Sequence, residues 1–313
     1  MQRLDDSVRN LFQAMKENSD SPPIESLSLE DLREGYRVSR KKLAPEPQNV
    51  AEVQDIQIPT HNGSVTVRLY RGINTTTQTK LPCLIYFHGG GWVVGSIDTH
   101  DYICRIIAND ANCIVASVDY NLSPESKFPS AVEESFQVLK YISLEGSRRG
   151  IDTTRIALGG DSAGGNLAAV TAILARDRSI AVKYQVLVYP VCDLHLRSSS
   201  YDTLGEEYLL TRDSMQYYVD KYLDNLDQRD DWRASPILAQ DMSNLPSALV
   251  ITAGLDPLCE EGIKYANKLK EANVNVKIKE FSGQIHGFLA MGGAIPEALE
   301  AISDIVKGIK QHV

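Results

Sequence analysis

Along residues 1–50 the apolar side chains recur with helical spacing. Leu4, Val8, Leu11, Phe12 and Met15 make one stripe, and "SLEDLREGYRVSRKKL" opens on a Ser28-x-x-Asp31 cap signal, while "SPP" at 21–23 separates the two predicted helices. An amphipathic pair of this kind needs a body to lie on. From Val53 the period drops to two: "VQDIQIP" and "SVTVRLYR" flank "THNG", whose Asn62-Gly63 suits a tight hairpin turn, so an antiparallel edge is predicted. Six short runs follow without alternation, "CLIYF", "CIVASVDY", "RIALGGD", "YQVLVYP", "ALVITAG" and "VKIKEF", the mark of strands covered on both faces. Helical patterns stand between most of them, such as "SAVEESFQVLKYISL" with Val132, Phe136 and Leu139, and "GIKYANKLKEAN" with Ile263, Ala266 and Leu269. That alternation predicts an α/β protein with a mostly parallel, doubly wound sheet.

One segment breaks the rhythm. Between "LVYPVCD" and "LPSALVI" lie about fifty residues rich in charge and tyrosine, too long for an ordinary connection and partly helical by their own pattern of Met215, Val219, Tyr222 and Leu226. The segment reads as a lid or a small insertion.

Composition narrows the class. A chain of 313 residues, 43% hydrophobic, can bury a sizeable core as one large α/β domain or two smaller ones. Its net charge of −9 comes from carboxylates spread along the chain, with no basic block to track a phosphate backbone, which argues against nucleic acid as a partner. The N-terminus has no apolar h-region, and no stretch approaches the ~18 continuous apolar residues of a membrane span, so a cytoplasmic protein is expected. The five cysteines are an odd number without a CxxC pair, and all but Cys259 sit in apolar surroundings; they are expected to be free thiols, with neither a disulfide framework nor a zinc site.

The chemistry centres on "RIALGGDSAGGNLAAVTAILA", where Gly160-x-Ser162-x-Gly164 falls between a buried strand and an Ala-rich helix. In that context G-x-S-x-G is a nucleophile elbow, a turn so tight that the residues two before and two after the serine must be glycine. A helix N-terminus beneath the serine also favours developing negative charge. The loop "HGGGWVVG", His88 to Gly95, follows "CLIYF" where an α/β-hydrolase supplies backbone N–H donors to an oxyanion, each worth ~3 kcal/mol of barrier. Gly90, Gly91 and Ala163 are the candidate donors. Neither glycine stretch matches a phosphate-cradling pattern.

Chain order with this elbow is serine, acid, histidine. Past the last strands only His286 and His312 remain, and His312 lies beside the C-terminal residue, which leaves His286 of "FSGQIHGF" as the base. Asp256, ending "ALVITAGLDPL", is the carboxylate placed to orient it, with Glu260 and Glu261 a helical turn further on as solvated or structural groups. His88 precedes the serine and is assigned to ordering the glycine loop, as Asp119 and Asp161 are to fixing loops. His61, His100 and His195 read as ordinary surface or partly buried residues.

"HGGGW", "DYNLSPESKFPSA", "GDSAGGN", "DPL" and "HGF", in this order and spacing, resemble the hormone-sensitive lipase family of α/β-hydrolases, in particular its bacterial and archaeal carboxylesterases. The resemblance runs from about residue 50 to the C-terminus. It implies Ser162, Asp256 and His286 as a triad and Gly90, Gly91 and Ala163 as an oxyanion hole. It also implies a catalytic α/β domain in two parts, 51–192 and 241–313, with residues 1–50 and 193–240 together forming a helical cap. One departure is Asn121 with Ser123, where the family commonly has arginine and alanine, and this leaves the packing of that loop open. The expected function is a serine carboxylesterase acting with water on small, soluble short- to medium-chain acyl esters, without cofactor or metal, as a monomer or homodimer. A ligand-binding receptor on a hydrolase scaffold is the alternative from another class, and amide, carbamate or lactone bonds are alternative substrates of the same machinery.

Overall fold

The computed structural model describes residues 4–16, 24–61, 63–76, 79–206 and 208–313. Two helices come first, α1 (Asp6–Lys16) and α2 (Leu29–Leu43). Ser28 caps α2, its Oγ accepting the Asp31 N–H at 3.1 Å. The "SPP" separator lies outside the described residues. Of the predicted α1 stripe, Val8 and Leu11 are buried, but Met15 is 42% exposed.

The sheet follows: β1 (Glu52–Thr60), β2 (Gly63–Arg71), β3 (Leu81–Phe87), α3 (Asp101–Ala111), β4 (Ile114–Asp119), α4 (Ser130–Glu145), β5 (Ile151–Asp161), α5 (Ala163–Asp177) and β6 (Tyr184–Val188). Next come α6 (Ser200–Leu204) and α7 (Arg212–Tyr222), then β7 (Ser247–Leu255), α8 (Cys259–Glu271), β8 (Val276–Ile285) and α9 (Glu297–His312). The eight strands run in the order β1-β2-β4-β3-β5-β6-β7-β8. β2 is antiparallel to both β1 and β4, and every other pair is parallel. Thr60 pairs with Gly63, so the hairpin loop holds two residues, of which Asn62 lies outside the described ones.

The pleat of β3 divides the core. Cys83, Ile85 and Phe87 face one apolar cluster with side chains of α4, α5 and α8, while Leu84 and Tyr86 face another with α1, α3 and α9. Both faces of the central strands are therefore covered, which is why their sequences lack alternation. In the segment between β6 and β7, Met215, Val219 and Tyr222 of α7 are buried as their spacing predicts. Leu226 is not on that stripe: the helix stops at Tyr222 with Leu223 extended, and Leu226 is 54% exposed in a short turn. Polar Asp224 and Asn225 end the apolar repeat one turn earlier than a pure spacing argument allows.

Two contacts tie the outer helices to the sheet edge. Trp92, just past the three glycines, is fully buried and stacks on Tyr222 with centroids 4.1 Å apart. Arg33 of α2 donates to the Val93 carbonyl at 2.9 Å and holds Glu125 with two further bonds. Leu32, Val93 and Val94 make a small apolar cluster of their own, with Tyr218 packed against it.

Candidate active site

Four strand ends set the geometry. Phe87 pairs with Gly160, so the glycine loop after β3 and the serine turn after β5 emerge side by side. Leu255 pairs with Ile285, so Asp256 and His286, each one residue further on, leave adjacent parallel strands together. β8 runs through Ile285, further than "VKIKEF" alone predicts, and His286 stands at the strand's own end rather than beyond a loop.

Ser162 sits at φ +56°, ψ −120°, a conformation that costs a non-glycine residue ~1–3 kcal/mol. The surroundings enforce it. A Cβ on Gly164 would stand 1.9 Å from the Phe87 carbonyl oxygen, and one on Gly160 would stand 2.4 Å from the Gly164 carbonyl, so the strand, the turn and the helix cross at backbone contact. The Ser162 N–H donates to Val188 O at 2.9 Å, which pins the turn against β6. His286 Nε2 lies 2.9 Å from Ser162 Oγ, and His286 Nδ1 lies 2.7 Å from Asp256 Oδ2. Asp256 is fully buried, and its Oδ1 accepts the Leu258 N–H at 2.9 Å, which fixes the carboxylate plane.

In the glycine loop, Gly90 and Gly91 have φ +126° and +59°. A Cβ on Gly90 would strike the Val94 carbonyl at 2.1 Å, and one on Gly91 would strike the Tyr218 ring at 2.5 Å. The Gly89 N–H donates to Asp161 Oδ1 at 3.1 Å, while no backbone acceptor for the Gly90 or Gly91 N–H occurs among the described residues. Ala163 is the first residue of α5, so its N–H has no acceptor within the helix.

His88 is wholly buried, stacked on Tyr120 at 4.3 Å, with Nδ1 2.8 Å from Gly89 O, so that nitrogen carries the proton. Burial, aided by neighbouring His100, pushes its pKa down to about 3, and the ring is neutral. Asp161 accepts from Tyr86 Oη at 2.8 Å and from Gly89, and faces His100 Nε2 at 3.2 Å. Burial alone would raise its pKa, but His100 and Tyr86 outweigh that and hold it below the usual carboxylate range. His100 is therefore no surface residue: it is fully buried beneath the serine turn as partner to Asp161. Its position ahead of α3 carried no periodicity to reveal this.

Asp119 accepts the Ile97 N–H at 3.3 Å, and buried Glu261 accepts the N–H groups of Cys192 and Asp193 at 2.7 and 3.2 Å. Glu260 pairs with Lys264 at 2.7 Å. Asn121, at the departure from the family pattern, donates its Nδ2 and its backbone N–H to Glu134 and so joins that loop to α4. His61 lies 2.9 Å from Gln137, and His195 the same distance from Asp230. His312 stacks on Tyr184 at the far end of β6, four residues from Val188 and away from Ser162.

A cavity of about 270 Å³ opens over Ser162 and His286. Its walls come from α2 through Leu32, Tyr36 and Arg40, and from the segment after β6 through Leu210, Met215 and Tyr218. Tyr218 and Arg40 escaped the sequence reading. The only signal for either was a tyrosine or an arginine on the apolar stripe of a helix.

Residues 84–290 match the family model described as the alpha/beta hydrolase fold. This chain belongs to the α/β-hydrolases, in the hormone-sensitive-lipase-like family. Among its relatives in this family, an ethyl acetate hydrolase from Pseudomonas putida is 34% identical over 93% of this chain and 92% of its own length. An arylesterase from Saccharolobus solfataricus is 35% identical over 98% and 99%. Among solved α/β-hydrolase structures, an esterase from Pyrobaculum calidifontis is 39% identical with a TM-score of 0.90, covering 98% of both chains. A hydrolase from the metagenome of Lake Arreo, Spain, is 33% identical with a TM-score of 0.95 over 99% of both.

Proposed function

We propose that this α/β-hydrolase is a carboxylic ester hydrolase that works through an acyl-enzyme on Ser162. The observation that carries the reading is the unbroken chain from Ser162 Oγ through His286 to buried Asp256, at 2.9 and 2.7 Å, on the floor of a cavity. The names of the esterase relatives support it.

Ser162 Oγ attacks the ester carbonyl carbon while its proton passes to His286 Nε2. Asp256 holds Nδ1–H and stabilises the imidazolium. The carbonyl electron pair moves onto oxygen, where the N–H groups of Gly90, Gly91 and Ala163 receive it; Gly89 is unsuited because its N–H is bound to Asp161. The tetrahedral intermediate collapses, His286 gives its proton to the departing alkoxide, and the alcohol leaves. Water then repeats the sequence on the acyl-serine and releases the acid. His88 keeps the loop in register by bonding Gly89 O from a ring that stays neutral.

Residues 1–50 and 193–240 serve as a cap whose α2 and α7 roof the cavity. A volume near 270 Å³ suits short- to medium-chain esters, since it falls just below the range of drug-sized sites. The test is a p-nitrophenyl ester series from acetate to palmitate on wild type and Ser162→Ala. The expected outcome is a peak at short or middle chains and a loss of several orders of magnitude in the variant. Near-normal activity of Ser162→Ala would remove the serine from the mechanism, and a folded wild type inert on every ester would remove the esterase.

A further inference from the structure

The cavity over Ser162 is lined by Arg40, a cation with no carboxylate partner among the described residues. Leu32, Tyr36 and Arg40 stand four residues apart on one stripe of α2, so the helix carries Arg40 to the wall it shares with Ser162, His286 and Gly287. The side chain is only 8% exposed. Its guanidinium lies over the Tyr36 ring at 4.7 Å, which holds the plane, and Tyr36 is a side-chain hydrogen-bond partner as well. Nε and Nη1 are buried and meet no acceptor among the described residues. The carboxylates on the same wall are engaged elsewhere: Asp31 with Ser28, and Asp161 with Tyr86, Gly89 and His100.

Buried donors and charges are normally paired, so one left idle at the edge of a cavity points to an acceptor that arrives from outside. The planar fork of a guanidinium matches a carboxylate in shape and charge. We infer that Arg40 binds a carboxylate carried by the substrate, so that the preferred esters of this enzyme are anionic. The inference rests on the esterase reading above and names its substrate class. It also assigns the side of the ester. His286 returns its proton to the leaving oxygen, so the alcohol part lies against His286, and Arg40 packs beside the next residue, its Nη2 being 3.6 Å from where a Gly287 Cβ would stand. The carboxylate therefore belongs to the alcohol part, and the substrates are O-acylated hydroxy acids. Hydrolysis consumes one water and yields the acyl acid and the free hydroxy acid, with no other reactant.

The experiment compares 3-acetoxypropanoate with 3-acetoxypropanamide, equal in length and differing in charge. In wild type kcat/KM should favour the anion at least about tenfold, the worth of one charge-assisted hydrogen bond. In Arg40→Gln the ratio should fall to one or below, with Arg40→Lys in between. A wild-type ratio near one, or the same ratio in Arg40→Gln, overturns the assignment, and the wild-type ratio decides even where a variant fails to fold. Titration calorimetry of both compounds on Ser162→Ala protein separates this from the esterase reading. Binding of the anion alone, abolished by adding Arg40→Gln, upholds the carboxylate site even where no ester is cleaved; equal binding of the amide overturns it even where both esters are cleaved.

Discussion

Replacing Asp256 by asparagine tests the roles assigned to His286 and its partner with almost no change in shape. Asp256 Oδ1 accepts the Leu258 N–H at 2.9 Å, and Oδ2 faces His286 Nδ1 at 2.7 Å, both in a fully buried setting. An asparagine must keep its carbonyl toward Leu258, since the flipped amide would set N–H against N–H at a cost of ~1–3 kcal/mol. Its NH2 group then faces Nδ1, which becomes an acceptor, and the imidazole proton moves to Nε2, the atom that has to take the proton of Ser162. The flipped minority restores the tautomer in at most about one molecule in six. Even those molecules lack the negative charge that stabilises the imidazolium. The combined loss should approach ~10⁴-fold in kcat, about 5.5 kcal/mol of barrier. Steady-state hydrolysis of p-nitrophenyl acetate near neutral pH reads the rate, a thermal melt confirms folding, and Ser162→Ala supplies the background. Folded Asp256→Asn protein within tenfold of wild type would refute the tautomer argument and the role of Asp256 with it.

Gly164→Ala should cost more than ~3 kcal/mol in urea unfolding, or prevent folding, because its Cβ would meet the Phe87 carbonyl oxygen at 1.9 Å and backbone cannot swing aside; a cost under ~1 kcal/mol would deny that crossing. The His88 pKa near 3 lies below its unfolded value near 6.5, so the unfolded chain binds a proton that the folded chain refuses. Its contribution is whole above pH ~6.5 and is lost at up to ~1.4 kcal/mol per pH unit as pH falls toward about 3; urea unfolding between about pH 7 and about pH 4 should show a shallower slope for His88→Gln, and identical slopes would refute it. Burial raises the Glu261 pKa above the usual carboxylate range, and its Oε1 accepts two backbone N–H bonds. Glu261→Gln, which keeps an acceptor oxygen, should cost ~1 kcal/mol or less, while Glu261→Ala, which strands both donors, should cost ~2–5 kcal/mol; equal losses in the two variants would show that the two accepted bonds do not set the cost.

Much of the fold was legible because it is written in short-range pattern. Strand runs without alternation marked the covered strands β3 to β7, and the alternating pair marked the antiparallel edge. Ser28 was readable as a cap because capping is decided within four residues. The misreadings lie where spacing is continued to the end of its element or past it: Met15, exposed in the last turn of α1, and Leu226, beyond a helix that polar residues had already ended. His100 was misjudged for a different reason, since nothing local to it shows that Asp161, sixty-one residues away, is its partner.

By itself the sequence determined the sheet's strands and the two glycine stretches that backbone crowding requires, because each follows from residues near one another in the chain, and it pointed to Ser162, Asp256 and His286 through the short motif around each. Only the tertiary structure decided that Leu255 pairs with Ile285 and so sets Asp256 beside His286, that Tyr218 lies over Gly91, that His100 and Asp161 share a buried site, and that Arg40 reaches the cavity with two buried nitrogens that meet no acceptor among the described residues. These depend on contacts between segments tens to hundreds of residues apart, and burial, which gives an unpaired donor or a neutral histidine its meaning, is a property that a side chain acquires only when those segments meet.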